Sequence, residues 1–148
     1  MSLREYSEPV MRPATRRSVC VVMACSDMRE ADQVGRQLLE QHTGCLVTYL
    51  KAQDLLLNAP GGKVALVILA NHESATALRR TLSWLRHRWP SCPITVVGDA
   101  GCGSHEMAAR QGGATFLVRP VSTEQWSAIL SHALGAAQKT RRSRVGEG

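Results

Sequence analysis

The chain has 148 residues, 44% of them hydrophobic and 20% charged, enough for one domain with its own core and too few for two typical ones. No apolar run nears the ~18 residues of a membrane span, and residues 1–17 lack the apolar stretch of a secretory signal, so a cytoplasmic protein with no membrane contact is expected. The net charge of +6 sits mostly at the ends, +2 in residues 1–17 and +3 in residues 139–148, so the core is close to neutral and a nucleic-acid contact is left to the tail.

Residues 1–17 hold Pro13 and scattered charge without a period, and read as a flexible or loosely attached arm. Met1 to Leu3 and Glu147-Gly148 look like cloning scars and stay outside the fold reading. The folded domain is expected over residues 18–138. Residues 18–24 are continuously apolar, the pattern of a strand covered on both faces. A helix follows, with Asp27 as N-cap, Glu30 as its partner in an acidic capping box, and Met28, Ala31, Val34, Leu38 and Leu39 as the apolar stripe. It should stop near Thr43-Gly44. Residues 45–50, β-branched and aromatic, read as a second strand, and residues 52–57 as a brief helix broken at 58–62.

Residues 64–71 form the central strand, a continuous apolar run after Gly61-Gly62-Lys63. Ala75, Leu78, Leu82, Leu85 and Trp89 then recur at helical spacing between the cap Ser74 and the stop Pro90. Arg79, Arg80, Arg86 and Arg88 fill the rest of that helix as a solvated face. Residues 93–98 are a fourth strand and residues 99–103 a loop. Ser104 caps a short helix through Arg110, stopped by Gly112-Gly113. Residues 114–118 are a fifth strand. Ser122 with Gln125 makes a capping box for a last helix with the stripe Trp126, Ile129, Leu130, Ala133, Leu134 and Ala137. Residues 139–148 are a basic tail that extends this helix briefly.

Five strands alternating with helices imply parallel pairing through right-handed crossovers. The fold class is therefore α/β, an open doubly wound sheet with helices on both faces. Ligands of such sheets bind at the carboxyl ends of the strands. Leu69, Ala70 and Asn71 end the central strand, and none of them is acidic or nucleophilic.

The cysteines are Cys20, Cys25, Cys45, Cys92 and Cys102. Their odd number and the lack of a Cys-x-x-Cys pair read as reduced thiols. Metal-ligand spacing with the histidines is missing, so no zinc site is expected. Cys25, just after the first strand, is the one candidate nucleophile. The arginine six residues on that a Cys-x5-Arg phosphate loop requires is Ala31, so Cys25 reads as a small loop residue and the chain as no enzyme.

At the fifth strand the residues become specific. Ala108-Ala109-Arg110-Gln111-Gly112-Gly113-Ala114-Thr115-Phe116-Leu117-Val118-Arg119-Pro120 resembles the end of response-regulator receiver domains. Leu85-Arg86-His87-Arg88-Trp89-Pro90-Ser91-Cys92-Pro93-Ile94-Thr95-Val96-Val97 resembles the same family's third helix, loop and fourth strand. The resemblance implies the flavodoxin-like strand order 2-1-3-4-5 and a cis Arg119–Pro120 peptide.

It also implies phosphoryl transfer to an aspartate ending the third strand, aided by Mg²⁺. The aspartate position falls on Ala70, the acidic pair on Met23 and Ala24, the Thr/Ser on Gly98, the lysine on Arg119 and the switch aromatic on Phe116. Neither Met23 nor Ala24 offers Mg²⁺ a hard oxygen ligand, and Ala70 has no nucleophilic atom. Asn71 as acceptor is no better, a neutral amide rather than a carboxylate. Asp27 and Asp99 remain near the rim and read as a helix cap and a loop turn. No metal or other cofactor is expected. Arg119 is left to bind an anion, pair with Asp99 or face solvent.

The expectation is an atypical receiver domain, a phosphorylation-independent module for protein contact or dimerisation. The alternatives are a conventional phospho-accepting receiver of a phosphorelay and a receiver fragment of a larger transcriptional regulator. By the resemblance, the contact face is the fourth helix, fifth strand and last helix, with His105, Arg110, Gln125 and His132 on its surface. A nucleic-acid contact through Lys139, Arg141, Arg142 and Arg144 is the third reading.

Overall fold

The computed structural model describes residues 10–11, 19–41, 44–70 and 73–147, with backbone alone at 10–11 and 136–147. In chain order the elements are β1 (Val10–Met11), β2 (Cys20–Ala24), α1 (Met28–Glu40), β3 (Cys45–Tyr49), α2 (Ala52–Leu57), β4 (Val64–Leu69), α3 (Ala75–Arg88), β5 (Ile94–Gly98), α4 (Gly103–Gln111), β6 (Thr115–Val118) and α5 (Thr123–Glu147). The sheet order is β1-β3-β2-β4-β5-β6. The five strands β2 to β6 are parallel and follow the expected order 2-1-3-4-5.

The apolar runs explain why these strands are covered on both faces. Every residue of β2 and β4 is buried, and side chains alternate between the two faces of a strand. Val22, Ala24, Val67 and Leu69 pack beneath α2, α3 and α4 with Leu55, Leu78, Leu82 and Leu85. Val21, Met23, Leu66 and Ile68 pack beneath α1 and α5 with Val34, Leu38, Trp126 and Leu130. Trp126 is fully buried, and its indole N–H donates to Gln33 Oε1 at 3.0 Å, which ties α5 to α1.

Three local readings need correction. Inside the expected arm, Val10–Met11 pairs antiparallel with β3, and so covers an outer edge of the sheet that would otherwise expose unpaired backbone. The remainder of the arm lies outside the described residues. The N-cap of α4 is Cys102, without a side-chain cap bond, rather than Ser104. Arg86 is not part of a solvated face. Its guanidinium donates to the carbonyls of Gly112 at 3.2 Å, Cys92 at 2.8 Å and Gly113 at 2.6 Å. It thereby binds α3 to the turn after α4, where Gly113 takes a positive φ of 76°. Arg79, Arg80 and Arg88 are exposed as expected.

Candidate functional site

The carboxyl ends of β2, β4, β5 and β6 meet at one edge. Met23 and Ala24 end β2 and Ala70 follows β4, all fully buried, and the Ala70 N–H donates to the Ala24 carbonyl at 2.8 Å. Asn71 lies outside the described residues. No carboxylate is offered at any of the three positions that the receiver resemblance assigns to metal and phosphoryl group.

Arg119 fills this edge. It follows β6, its N–H donates to the Gly98 carbonyl at 2.9 Å, and its peptide to Pro120 is cis. The guanidinium Nε donates to Glu30 Oε2 at 3.0 Å, Nη1 to Asp99 Oδ1 at 3.4 Å, and Nη2 to the Ala70 carbonyl oxygen. Of the three alternatives open for Arg119, pairing with Asp99 holds, but the closer acid is Glu30. Burial works against the charged guanidinium. The hydrogen bond and charge of Glu30, joined by Asp99, outweigh it and hold the group above its ordinary value.

Glu30 was assigned to the capping box and does something else. Asp27 caps α1 alone, accepting from the Arg29 N–H at 2.9 Å, while Glu30 turns inward with its side chain 10% exposed. The sequence did carry a signal for this. Glu30 lies one turn before Val34 and two before Leu38, on the buried stripe of the helix, and a carboxylate placed there demands a cation.

The aromatic position is equally particular. A Cβ built on Gly98 would stand 2.8 Å from Phe116 Cζ and 2.9 Å from Cε1. The Phe116 ring therefore occupies the space that a side chain at Gly98 would need.

His105 does not belong to the surface set in which the sequence placed it. It is half-buried, and its Nε2 is hydrogen-bonded to the Glu73 carbonyl, which links α4 to the loop after β4. Among the described residues neither Nδ1 of His105 nor Oε2 of Glu73 has a hydrogen-bond partner, and burial pushes the Glu73 carboxyl above its usual range. The cleft between β4, β5 and α4, lined by Glu73, Gly98, Asp99, His105 and Arg119, holds about 40 Å³. That is room for a water or two. Among the described residues no three His, Cys, Asp or Glu gather as metal ligands. Burial pushes the Cys25 thiol up to about 11, the reverse of what an activated nucleophile needs.

On the α4–β6–α5 surface, Arg110, Gln125 and His132 are exposed. Arg110 pairs with Glu106 at 2.9 Å. Gln125 forms the reciprocal cap with Ser122, its N–H donating to Oγ at 3.1 Å and its Oε1 accepting from the Ser122 N–H at 3.0 Å. The sequence reading missed Met107 and Val118, exposed apolar side chains on α4 and β6. The backbone of α5 continues through the basic tail to Glu147. The side chains of Lys139, Arg141, Arg142 and Arg144 lie outside those described. Among the described residues no helix is long and apolar enough to cross a membrane.

Compared by sequence, the chain matches no protein-family model and no curated protein. Compared by fold, it is similar to an uncharacterized protein from Neptuniibacter caesariensis, with a TM-score of 0.69 and 18% identity over 83% of this chain and 92% of that one. It is also similar to the signal receiver domain of an HD domain-containing protein from Pseudomonas fluorescens Pf-5, with a TM-score of 0.66 and 20% identity over 88% and 97%. A CheY-like protein (tadZ) from Pseudomonas aeruginosa PAO1 gives 0.64 and 14% over 78% and 99%. At these identities the likeness speaks for architecture alone, and that architecture is the CheY-like, flavodoxin-like fold.

Proposed function

We propose that this chain is a signalling receiver that acts by protein contact and does not accept a phosphoryl group. The observation that carries the reading is the Arg119–Glu30 pair, 3.0 Å apart, standing where a phospho-accepting site needs an aspartate and a metal. The cation that would meet the phosphoryl oxygens is already neutralised by an internal carboxylate, and Ala70 offers no atom to phosphorylate. The Phe116 ring packed over Gly98 supports the same reading from the switch side. With no Thr or Ser hydroxyl to move there, no phosphate-dependent trigger acts on the aromatic, and the α4–β6–α5 face keeps one conformation. A ligand shifts an equilibrium only through differential affinity for its states, so partner concentration sets the output.

The partner is a second copy of the chain or an acidic protein. Met107 and Val118 supply apolar contact beside the exposed edge strand β6, and Arg110 and His132 make the rim basic to neutral. The protein works in the cytoplasm and is not an enzyme. The test is incubation with acetyl phosphate and Mg²⁺ followed by intact mass. An unchanged mass is expected, and an acid-labile gain of one phosphoryl group overturns the proposal and returns the chain to the conventional phospho-accepting class.

A further inference from the structure

At the opposite end of the sheet, Cys20 opens β2 and Cys45 opens β3, and the two are partners in the parallel register. Their sulfurs lie 3.1 Å apart, from residues 25 positions apart in the chain. Neighbouring strands run about 4.7–4.9 Å apart, inside the ~4.4–6.8 Å of Cα separation that a disulfide spans. The backbone is clamped at both residues. The Cys20 N–H donates to the Lys63 carbonyl at 2.7 Å and the Cys45 N–H to the Val19 carbonyl at 3.0 Å. Both thiols are buried, and a Cβ on Gly62 would stand 3.8 Å from Cys20 Sγ. The exposed turn at residues 61–63 therefore lies against the Cys20 sulfur. The thiols of Cys25 and Cys92 bond instead to the carbonyls of Asp27 and Pro93.

We propose that Cys20 and Cys45 are an oxidation site, a thiol pair that hydrogen peroxide converts to a disulfide stapling β2 to β3. In the first step the Cys20 thiolate attacks one peroxide oxygen. The O–O bond breaks, leaving a sulfenic acid on Cys20 and hydroxide. The Cys45 thiolate then attacks that sulfur, the S–O bond breaks and a second hydroxide leaves. The two thiol protons convert the hydroxides to water, so two sulfurs are oxidised and one peroxide is reduced to two waters. Reduction by a dithiol reverses it. The reaction is slow in the closed fold and faster at high pH, because burial pushes the Cys20 thiol up to about 12 and the thiolate is the reactive form.

The experiment is hydrogen peroxide treatment of the full chain at pH 8, alkylation in denaturant, and peptide mapping without reductant. The expected product is a monomer lighter by two hydrogens in which the Cys20 and Cys45 peptides are joined, and it melts higher because the unfolded chain is cross-linked. Cys45→Ala and Cys20→Ala each abolish the joined peptide and the rise in Tm. Should either variant fail to fold, the wild-type map alone decides. Recovery of Cys20 and Cys45 both alkylated, at a dose that oxidises the half-exposed Cys102, overturns the proposal. So does a disulfide mapping to any other pair or between chains.

Discussion

Arg119 brings a full charge into a place largely closed to water, its side chain 18% exposed against 10% for Glu30. Removing one member of such a pair strands the other, which typically costs about 3 kcal/mol, while replacing both with apolar groups is often neutral. Arg119→Ala should therefore destabilise by about 3 kcal/mol, and Arg119→Met with Glu30→Leu by far less than the sum of the single changes. Urea denaturation of the wild type, Arg119→Met, Glu30→Leu and the double variant reads the coupling, and additive costs would show that the two side chains do not interact. Glu73 gives a second prediction at this scale, with its sign set by burial. Its folded pKa is raised above the unfolded value, so its contribution to stability is present below the ordinary carboxylate pKa and is lost as pH rises through the folded one. Glu73→Gln should thus melt higher than the native chain at pH 7, with the gap closing toward pH 4. Equal melting at both pH values would contradict the burial assigned to this carboxyl.

Among the elements, β5, β6 and α4 are held by contacts that depend on missing side chains as much as on those present. Phe116 can cover Gly98 only because glycine has no Cβ, and the ring is too close to admit one. Gly98→Thr should cost about 1–3 kcal/mol, the usual range for overpacking. In a Phe116→Ala background the same change should cost much less, since the ring it displaces is gone. Equal costs in both backgrounds would mean that the ring does not pack there. Arg86 works at the same scale. By gathering three carbonyls from the turns before β5 and β6, it sets α3 against α4, and it is therefore unsuitable as a surface control in interaction experiments.

For the whole molecule, the two edges of the sheet are treated differently. Among the described residues the β3 edge is covered by β1, whereas β6 ends the sheet, flanked by exposed Met107 and Val118. An uncovered edge beside apolar side chains is a place for another chain to bind. Met107→Glu with Val118→Glu should abolish self-association and partner capture in sizing and pull-down experiments and leave the melting temperature nearly unchanged. The exposed pair Arg79→Glu with Arg80→Glu on α3 is the control and should change neither. If only the α3 variant loses association, the interface lies on α3.

The order of elements and a parallel, doubly wound sheet were legible in the chain itself, while the strand order 2-1-3-4-5 came from the resemblance to receiver domains. Strands buried on both faces must be continuously apolar, as residues 18–24 and 64–71 are, and parallel strands joined by helices leave few arrangements. The caps at Asp27, Ser74 and Ser122–Gln125 were legible for the same reason, since a cap bond reaches only two or three residues along the chain. The lack of a carboxylate at Ala70, Met23 and Ala24 also needed only the residues, once the receiver resemblance had assigned those positions. Tertiary structure alone decided where the charges go. Glu30 and Arg119 meet across 89 positions of chain, Arg86 finds the carbonyls beyond α4, His105 turns in toward Glu73, and β1 attaches to β3. Local periodicity records which face of an element is buried. It does not record which strand ends converge, and a buried charge takes the partner that convergence supplies.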